Sequence, residues 1–453
     1  MTMPATPAAA APPPSPAGAQ TPPSWRRKIG AGPPRGGVTA GQFVDIGPDA
    51  KTAAEWALRG LTPPDLAALR AYRLARVREQ LAARDCGAIL LCDPLNIRYA
   101  CDASNMQVWC AHNAVRYLFL PLDGPLVLFE FHSSRHLAAG LDLIAEVRPA
   151  ISWNYMHGGE ALATKARRWA AEIVDLMVAH GGNRRLAVDR VNPEGAAALG
   201  ELGLSLHNGE AVMELARVVK GAPEIAAMRC ALAACEAAMA EMQAALAPGV
   251  SEIELWSHLH AGNIKRGGEW IETRLLTSGA RTNPWLQECG SRQIQAGDLV
   301  AFDTDLIGPY GYCADISRTW LCGDRPASGT QRDLFAVARQ HIDENRALLK
   351  PGVHLRELTE KSDRLPEAYR AYRYLVVMHG VRLCDEYPIV VYPEDAEHAV
   401  YDAVLAPGMV LCVEAYVGAE GGGEGVKLEE QVLITDTGSE TLSHYPFDPA
   451  LDR

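Results

Sequence analysis

The residues best suited to chemistry lie between Val300 and Trp320, in VAFDTDLIGPYGYCADISRTW, where Asp303, Asp305 and Asp315 follow the pattern D-x-D-x9-D. Asp303 and Asp305 stand two apart in a run of strand-formers, a spacing that puts both side chains on one face of a β-strand. The following LIGPYGY holds two glycines and a proline, the composition of a hairpin turn, so a returning strand brings Asp315 beside the first pair. Three carboxylates at close quarters resist joint ionisation unless a cation lies among them. Solvated loop acids are the ordinary state of aspartate. Acids set between Phe302 and Leu306 on an alternating strand are poorly placed for water, and the pattern predicts a metal site.

An internal repeat supplies partners for these acids. LAPGVSEIEL (246–255) recurs as LKPGVHLREL (349–358), and GDLVAFD (297–303) aligns with GMVLCVE (408–414). A second acid follows in each half, Asp315 in DISRTW and Glu429 in LEEQVLIT. A duplicated αβ unit that builds one site on its pseudo-dyad accounts for both acid pairs. His379, in LVVMHGVRLCDEYP, falls between them. An isolated histidine is ordinarily packed or on the surface, but this position makes it a ligand. The predicted set is Asp303, Asp305, Asp315, His379, Glu414 and Glu429. Five carboxylates and one imidazole suit two divalent ions that accept mixed O/N donors, Fe, Mn, Co or Zn rather than Ca, at the two-metal spacing of roughly 3.5 Å.

Composition is ordinary for a globular enzyme, with 48 % hydrophobic and 22 % charged residues. A formal charge of −12 argues against nucleic acid or an anionic membrane as partner. Eleven cysteines without a C-x-x-C pair read as reduced, packed thiols. With no long apolar run and no signal-type h-region, the expected location is the cytoplasm.

Residues 1–44 are rich in Ala, Pro and Gly and predict a disordered tail. Over 45–217, helical periodicity at 63–84 and 161–182 alternates with strands at 87–92, 115–121, 125–131 and 185–189, which predicts an α/β domain. Within it, DPLNIRYACDASNMQVW reads as a loop reaching a site. From 218 to 453 a second domain opens with a helix over 223–246, and Ser251 with Glu254 predicts a capping box on the next helix.

D-x-D-x9-D followed by His379, Glu414 and Glu429 resembles the creatinase/aminopeptidase P "pita-bread" metalloenzymes, over about residues 45–449. The resemblance implies a mixed α/β (α+β) chain, with a creatinase-like N-terminal domain and a pita-bread catalytic domain, and a homodimer in which one chain's N-terminal domain covers the other's site. Peptidases of this kind carry two further histidines; here those places hold Trp285, in SGARTNPW, and Glu386, seven residues beyond His379. An Xaa-Pro dipeptidase-like or aminopeptidase-like hydrolase is the alternative that this difference disfavours. A non-enzymatic binding role would be expected to lose ligands, and all six are present.

The wording GGEWIETRLLTSGARTNPW, FDTDLIG, DISRTW, LCDEYP and KLEEQVL is similar to the DddP-type dimethylsulfoniopropionate (DMSP) lyases of the same superfamily. That resemblance implies β-elimination of a small zwitterion, two divalent metals with iron the first expected, Asp385 as the base and Tyr374 as a substrate contact. Asp385 would act with its pKa raised by a pocket of Leu383 and Tyr387. A sulfonium suits an aromatic enclosure, for which Trp109, Trp285 and Tyr374 are candidates. The family reads HGVGLCDE where this chain reads HGVRLCDE. Arg382 is therefore a candidate substrate contact, a partner for Asp385, or a solvent-facing charge.

Overall fold

The computed structural model describes residues 47–452 apart from 133 and 400; the tail predicted over 1–44 lies outside them. The helix Leu66–Ala83 starts at Asp65, whose carboxylate accepts from the amides of Ala67 and Ala68, an N-cap that satisfies two otherwise orphaned donors. It packs near a six-stranded sheet built from β1 (Ala88–Leu91), β2 (Tyr117–Pro121), β3 (Leu126–Glu130), β4 (Ile144–Pro149), β5 (Arg185–Val188) and β6 (Ser205–Asn208). The spatial order is β4-β3-β2-β1-β5-β6, with β1 antiparallel to β2 and parallel to β5.

Alternate residues of these strands enter opposite cores. Ile89, Leu91, Leu118 and Leu120 face one apolar cluster, while Leu90, Tyr117, Phe119 and Phe129 join Trp153 and Trp169 in another. Burial on both faces is why the strands read as unbroken apolar runs. The first cluster continues through Met228, Ala231 and Met239 of the helix Ala222–Ala245. DPLNIRYACDASNMQVW is not a loop: it forms the helix Pro94–Cys101, capped by Asp93, and enters the helix Gln107–His112. Pro94 at the first helical turn supports that start rather than breaking it.

The repeat is real in three dimensions. The amide of Gly249 donates to Ile294 O and that of Gly352 to Leu405 O, both at 2.8 Å. The return bonds also match, Ile294 N to Val250 O at 2.9 Å and Leu405 N to Val353 O at 2.8 Å. Gly297 and Gly408, which open the two aligned strands, sit at φ +94° and +89°, a region that strongly favours glycine. A helix opens each half, Ala222–Ala245 in the first and Gly329–Ala347 in the second. Ser251 Oγ accepts the Glu254 amide at 3.2 Å, which is one half of the predicted capping box.

The remaining strands are β7 (Trp270–Ile271), β8 (Leu276–Ser278), β9 (Leu299–Phe302), β10 (Leu306–Ile307), β11 (Cys313–Ala314), β12 (Arg318–Leu321), β13 (Val376–Val381), β14 (Asp385–Val391), β15 (Val410–Gly418), β16 (Gly425–Ile434) and β17 (Ser439–Thr441). They form sheets ordered β12-β9-β8, β11-β10-β7 and β14-β13-β15-β16-β17. Ten of the eleven cysteines are buried and all are free, as expected for thiols used as small apolar residues. Among the described residues no helix is long and apolar enough to cross a membrane.

Candidate metal centre

The hairpin that carries the first three acids exists, but not as a continuous strand. β9 ends at Phe302 and the chain resumes as β10 at Leu306 in a different sheet. The returning chain breaks in the same way, β11 ending at Ala314 and β12 starting at Arg318. Asp303 and Asp305 therefore do not share one regular strand face as the spacing suggested: Asp305 sits at φ +35°, which interrupts the pleat. The sheet switch leaves all three acids in gaps between strands, where their carboxylates converge. Glu414 and Glu429 come from regular structure, paired directly opposite each other across β15 and β16.

His379, on β13, closes the cluster. Its Nε2 lies 3.3 Å from Glu429 Oε1, 3.5 Å from Asp315 Oδ2 and 3.6 Å from Glu414 Oε1. Its Nδ1 is 3.1 Å from Gly380 O; donating there would fix the tautomer that leaves Nε2 free to bind a cation. Ligand atoms of Asp315, His379, Cys412 and Glu429 all lie within 4.8 Å of one another, and so do those of Asp305, Asp315 and Asp385. Asp315 Oδ1, Glu414 Oε1 and Glu429 Oε1 are buried without a hydrogen-bond partner. Buried carboxylate oxygens are seldom left unpaired in native proteins, and each such atom calls for a partner. Their convergence with an imidazole nitrogen fits a divalent cation.

The structure adds a group that the sequence reading missed. Lys427, two residues before Glu429 on β16, is fully buried with Nζ at 3.0 Å from Asp303 Oδ2, 3.0 Å from Glu414 Oε2 and 2.9 Å from Glu429 Oε2. Ser317 Oγ lies 2.8 Å from the same nitrogen and donates to Asp303 at 2.7 Å. Thr273 Oγ1 donates to Asp305 Oδ2 at 2.7 Å. The period-two spacing of strands was the available signal: Lys427 and Glu429 share a face, as do Cys412 and Glu414.

The electrostatics follow from burial. It pushes Asp305 and Asp315 well above the ordinary carboxylate range, with the Asp303 charge acting further on Asp305 and that of Glu429 on Asp315. Burial also raises Asp303 and takes Glu414 up to about 8. Glu429 moves the other way, well below its usual value, because the Lys427 ammonium and His379 outweigh its burial. Burial would lower Lys427 and His379, but the surrounding carboxylates outweigh it and hold both well above their usual values. Carboxylates pushed apart in this way are short of positive charge.

Asp385 stands at the rim, its Oδ1 3.7 Å from His379 Nδ1. The expected enclosure by Leu383 and Tyr387 is not formed: the Asp385 side chain is 48 % exposed, and Leu383 is turned into the core. Trp285 is buried against Tyr416, ring centroids 5.8 Å apart, and Tyr374 packs half-buried on the same group. Lys427 Nζ lies 5.8 Å from the Trp285 ring and 5.9 Å from that of Tyr374, so both rings border the acids.

Of the expected contacts, Arg382 is corrected, and Trp109 does not reach the acids of its own chain. Trp109 packs edge-on against Phe131 and lines a groove of about 660 Å³ with Lys165, Arg168 and Glu172; within this chain that groove includes none of the acids. Arg382 is fully buried and pairs with Glu224; its charge faces the interior, so it contacts neither substrate nor Asp385. Glu386 is likewise buried, against Arg217 and Lys220.

Comparison with known proteins agrees with this geometry. Residues 226–436 match the family model "Metallopeptidase family M24" and residues 73–229 match "Creatinase/Prolidase N-terminal domain". Among solved structures, an Xaa-Pro dipeptidase from Bacillus anthracis superposes with a TM-score of 0.68 at 20 % identity, over 84 % of this chain and 99 % of that one; this likeness shows the fold. The dimethylsulfoniopropionate lyase DddP of Roseovarius nubinhibens is 48 % identical over 90 % of this chain and 93 % of its own length. That of Roseobacter denitrificans is 45 % identical over the same shares. With the pita-bread fold, the converging acids and this identity across nearly the whole chain, the protein belongs to the DddP family of lyases within the M24 metalloenzyme superfamily.

Proposed function

We propose that this protein cleaves DMSP to dimethyl sulfide and acrylate by β-elimination, with Asp385 as the base. The observation that carries the reading is the place of Asp385: an accessible carboxylate at the edge of a buried acid cluster, beside His379 and within 4.8 Å of the ligand atoms of Asp305 and Asp315. Asp303, Asp305, Asp315, His379, Glu414 and Glu429 would hold two divalent ions, iron first among them. Bound there, such ions supply Lewis acidity that takes the substrate carboxylate and acidifies the adjacent Cα–H.

Asp385 accepts the Cα proton, the C–H electron pair becomes the Cα=Cβ bond, and the Cβ–S pair leaves on sulfur as neutral dimethyl sulfide. No water nucleophile takes part. Trp285 and Tyr374 present ring faces beside the acids, a setting suited to a soft sulfonium cation. A cytoplasmic homodimer, with domains divided near 217/218, completes the proposal.

The test is headspace detection of dimethyl sulfide from the purified protein given DMSP and Fe(II), beside Asp385→Ala. Gas from the wild type, with a loss of about 10²–10⁴-fold in the variant, supports both reaction and base. No gas from metal-loaded wild type, together with hydrolysis of Xaa-Pro dipeptides, would overturn the reading.

A further inference from the structure

Arg382 is fully buried in the turn between His379 and Asp385. Nη2 donates to Glu224 Oε2 at 2.7 Å and to Val219 O at 3.0 Å, and the guanidinium lies 4.7 Å from the Tyr99 ring. Arg73, from the N-terminal sheet's helix Leu66–Ala83, reaches the same Glu224 at 3.2 Å and the same ring at 5.4 Å. Tyr312 Oη donates to Glu224 Oε1 at 2.9 Å. The backbone joins these parts, because the Cys313 amide donates to Arg382 O at 2.7 Å. Glu224 thus ties together the hairpin leading to Asp315 and the turn between His379 and Asp385.

The far side of Asp385 is held from the same stretch of chain. Glu386 accepts from Arg217 Nε at 2.8 Å and Lys220 Nζ at 3.1 Å, with all three side chains buried. Residues 382 and 386 are therefore both anchored to the segment 217–224, which leads from the N-terminal α/β region into the helix Ala222–Ala245. Asp385 itself is half exposed and has no comparable anchor. The structure fixes the turn 382–384 and leaves the Asp385 carboxylate, on the first residue of β14 just beyond it, half exposed to meet substrate. A buried Arg–Glu pair is no more stabilising than apolar residues of similar volume; what it adds is a directional bond, which suits a group whose job is placement.

We propose that Arg382 and Glu224 are positioning residues, which set the distance of Asp385 from the acid cluster by pinning the turn 382–384 and the start of β14 to the segment 217–224. This rests on the reading of Asp385 as base. The experiment uses the full-length, metal-loaded protein with Arg382→Met, Arg382→Lys and Glu224→Gln. It measures metal per chain, amide hydrogen exchange over 381–386, and kcat and KM for DMSP.

In Arg382→Met, Glu224 keeps Arg73 and Tyr312 as partners, so the fold and metal content are expected to hold. The turn amides should exchange about tenfold faster. kcat should fall about 10- to 100-fold with KM within about twofold, and Arg382→Lys should recover part of kcat. Wild-type exchange and wild-type kcat in the variant would overturn the proposal, as would a kcat that falls only in proportion to lost metal. Should Arg382→Met not fold, the isosteric Glu224→Gln decides by the same readouts. A wild type that releases no dimethyl sulfide refutes the functional reading instead, and the exchange comparison still decides the pin.

Discussion

Lys427→Met removes the one ammonium buried among the acids while keeping most of the side-chain volume. In the metal-free protein it strips a cation from Asp303, Glu414 and Glu429, each held at 2.9–3.0 Å. Breaking a buried ion pair from one side costs about 3–5 kcal/mol. For roughly 400 ordered residues the unfolding entropy is about 0.8 kcal/mol per degree, so the midpoint should fall by about 4–6 °C. The five carboxylates and Lys427 carry a net charge of about −4, which two divalent ions cancel; without Lys427 the loaded site is left with about one uncompensated negative charge. The loaded variant should therefore lose less than half of what the chelated variant loses. Scanning calorimetry with chelator and with Fe(II), at one pH for both proteins, reads both numbers. Equal losses in the two forms, or none in the chelated form, would refute the view that Lys427 acts as a built-in cation.

Two further outcomes follow from the cluster. Glu414 titrates at about 8 in the folded chain against an ordinary 4.5, so the folded state binds the extra proton between those values. Its contribution to metal-free stability is complete below about 4.5 and is lost as pH rises to about 8. The melting temperature of chelated protein should fall from pH 5.5 to 8.5 by more than that of loaded protein, and a flat or rising profile would contradict this origin. Second, Glu429→Gln should lower bound metal by about one ion per chain and abolish gas release that chelation abolishes in the wild type; elemental analysis showing unchanged metal would remove Glu429 from the ligand set.

The repeat and the acid spacing made most of the fold, and the convergence of the acids, legible. LAPGV and LKPGV, and the paired glycines 297 and 408, are signatures of local geometry, and local geometry is what a sequence encodes most directly. The acids at 414 and 429 lie in regular strands, where period-two reasoning holds, and the strands pair them directly opposite each other. It failed at 303–305, because a strand that switches sheets looks in sequence like one that continues. Lys427 was hidden by its type: a lysine on a strand reads as solvent-facing until the acids opposite it are known. Arg382 was hidden for the same reason, since its partner Glu224 is 158 residues away and comes from the start of another helix. Trp109, the aromatic that closes DPLNIRYACDASNMQVW, was selected without a spacing to place it, and within this chain it lines a groove apart from the acids.

The two positions where resemblance sets histidines in peptidases now bear on the choice of reaction. Amide hydrolysis on this scaffold needs groups that bind and protonate a tetrahedral intermediate, and a titratable imidazole serves both ends. Trp285 instead presents an apolar ring, packed on Tyr416 and bordering the Lys427 ammonium. Glu386 is directed away, its carboxylate consumed by Arg217 and Lys220. The first substitution gives a ring face to a cation, and the second converts a position next to Asp385 from a proton carrier into an anchor. Elimination from a sulfonium needs a placed base and a surface for a soft cation, and needs no proton donor for a leaving amine. The groups at these two positions, an aromatic ring and an anchored carboxylate, thus suit the proposed lyase reaction better than hydrolysis.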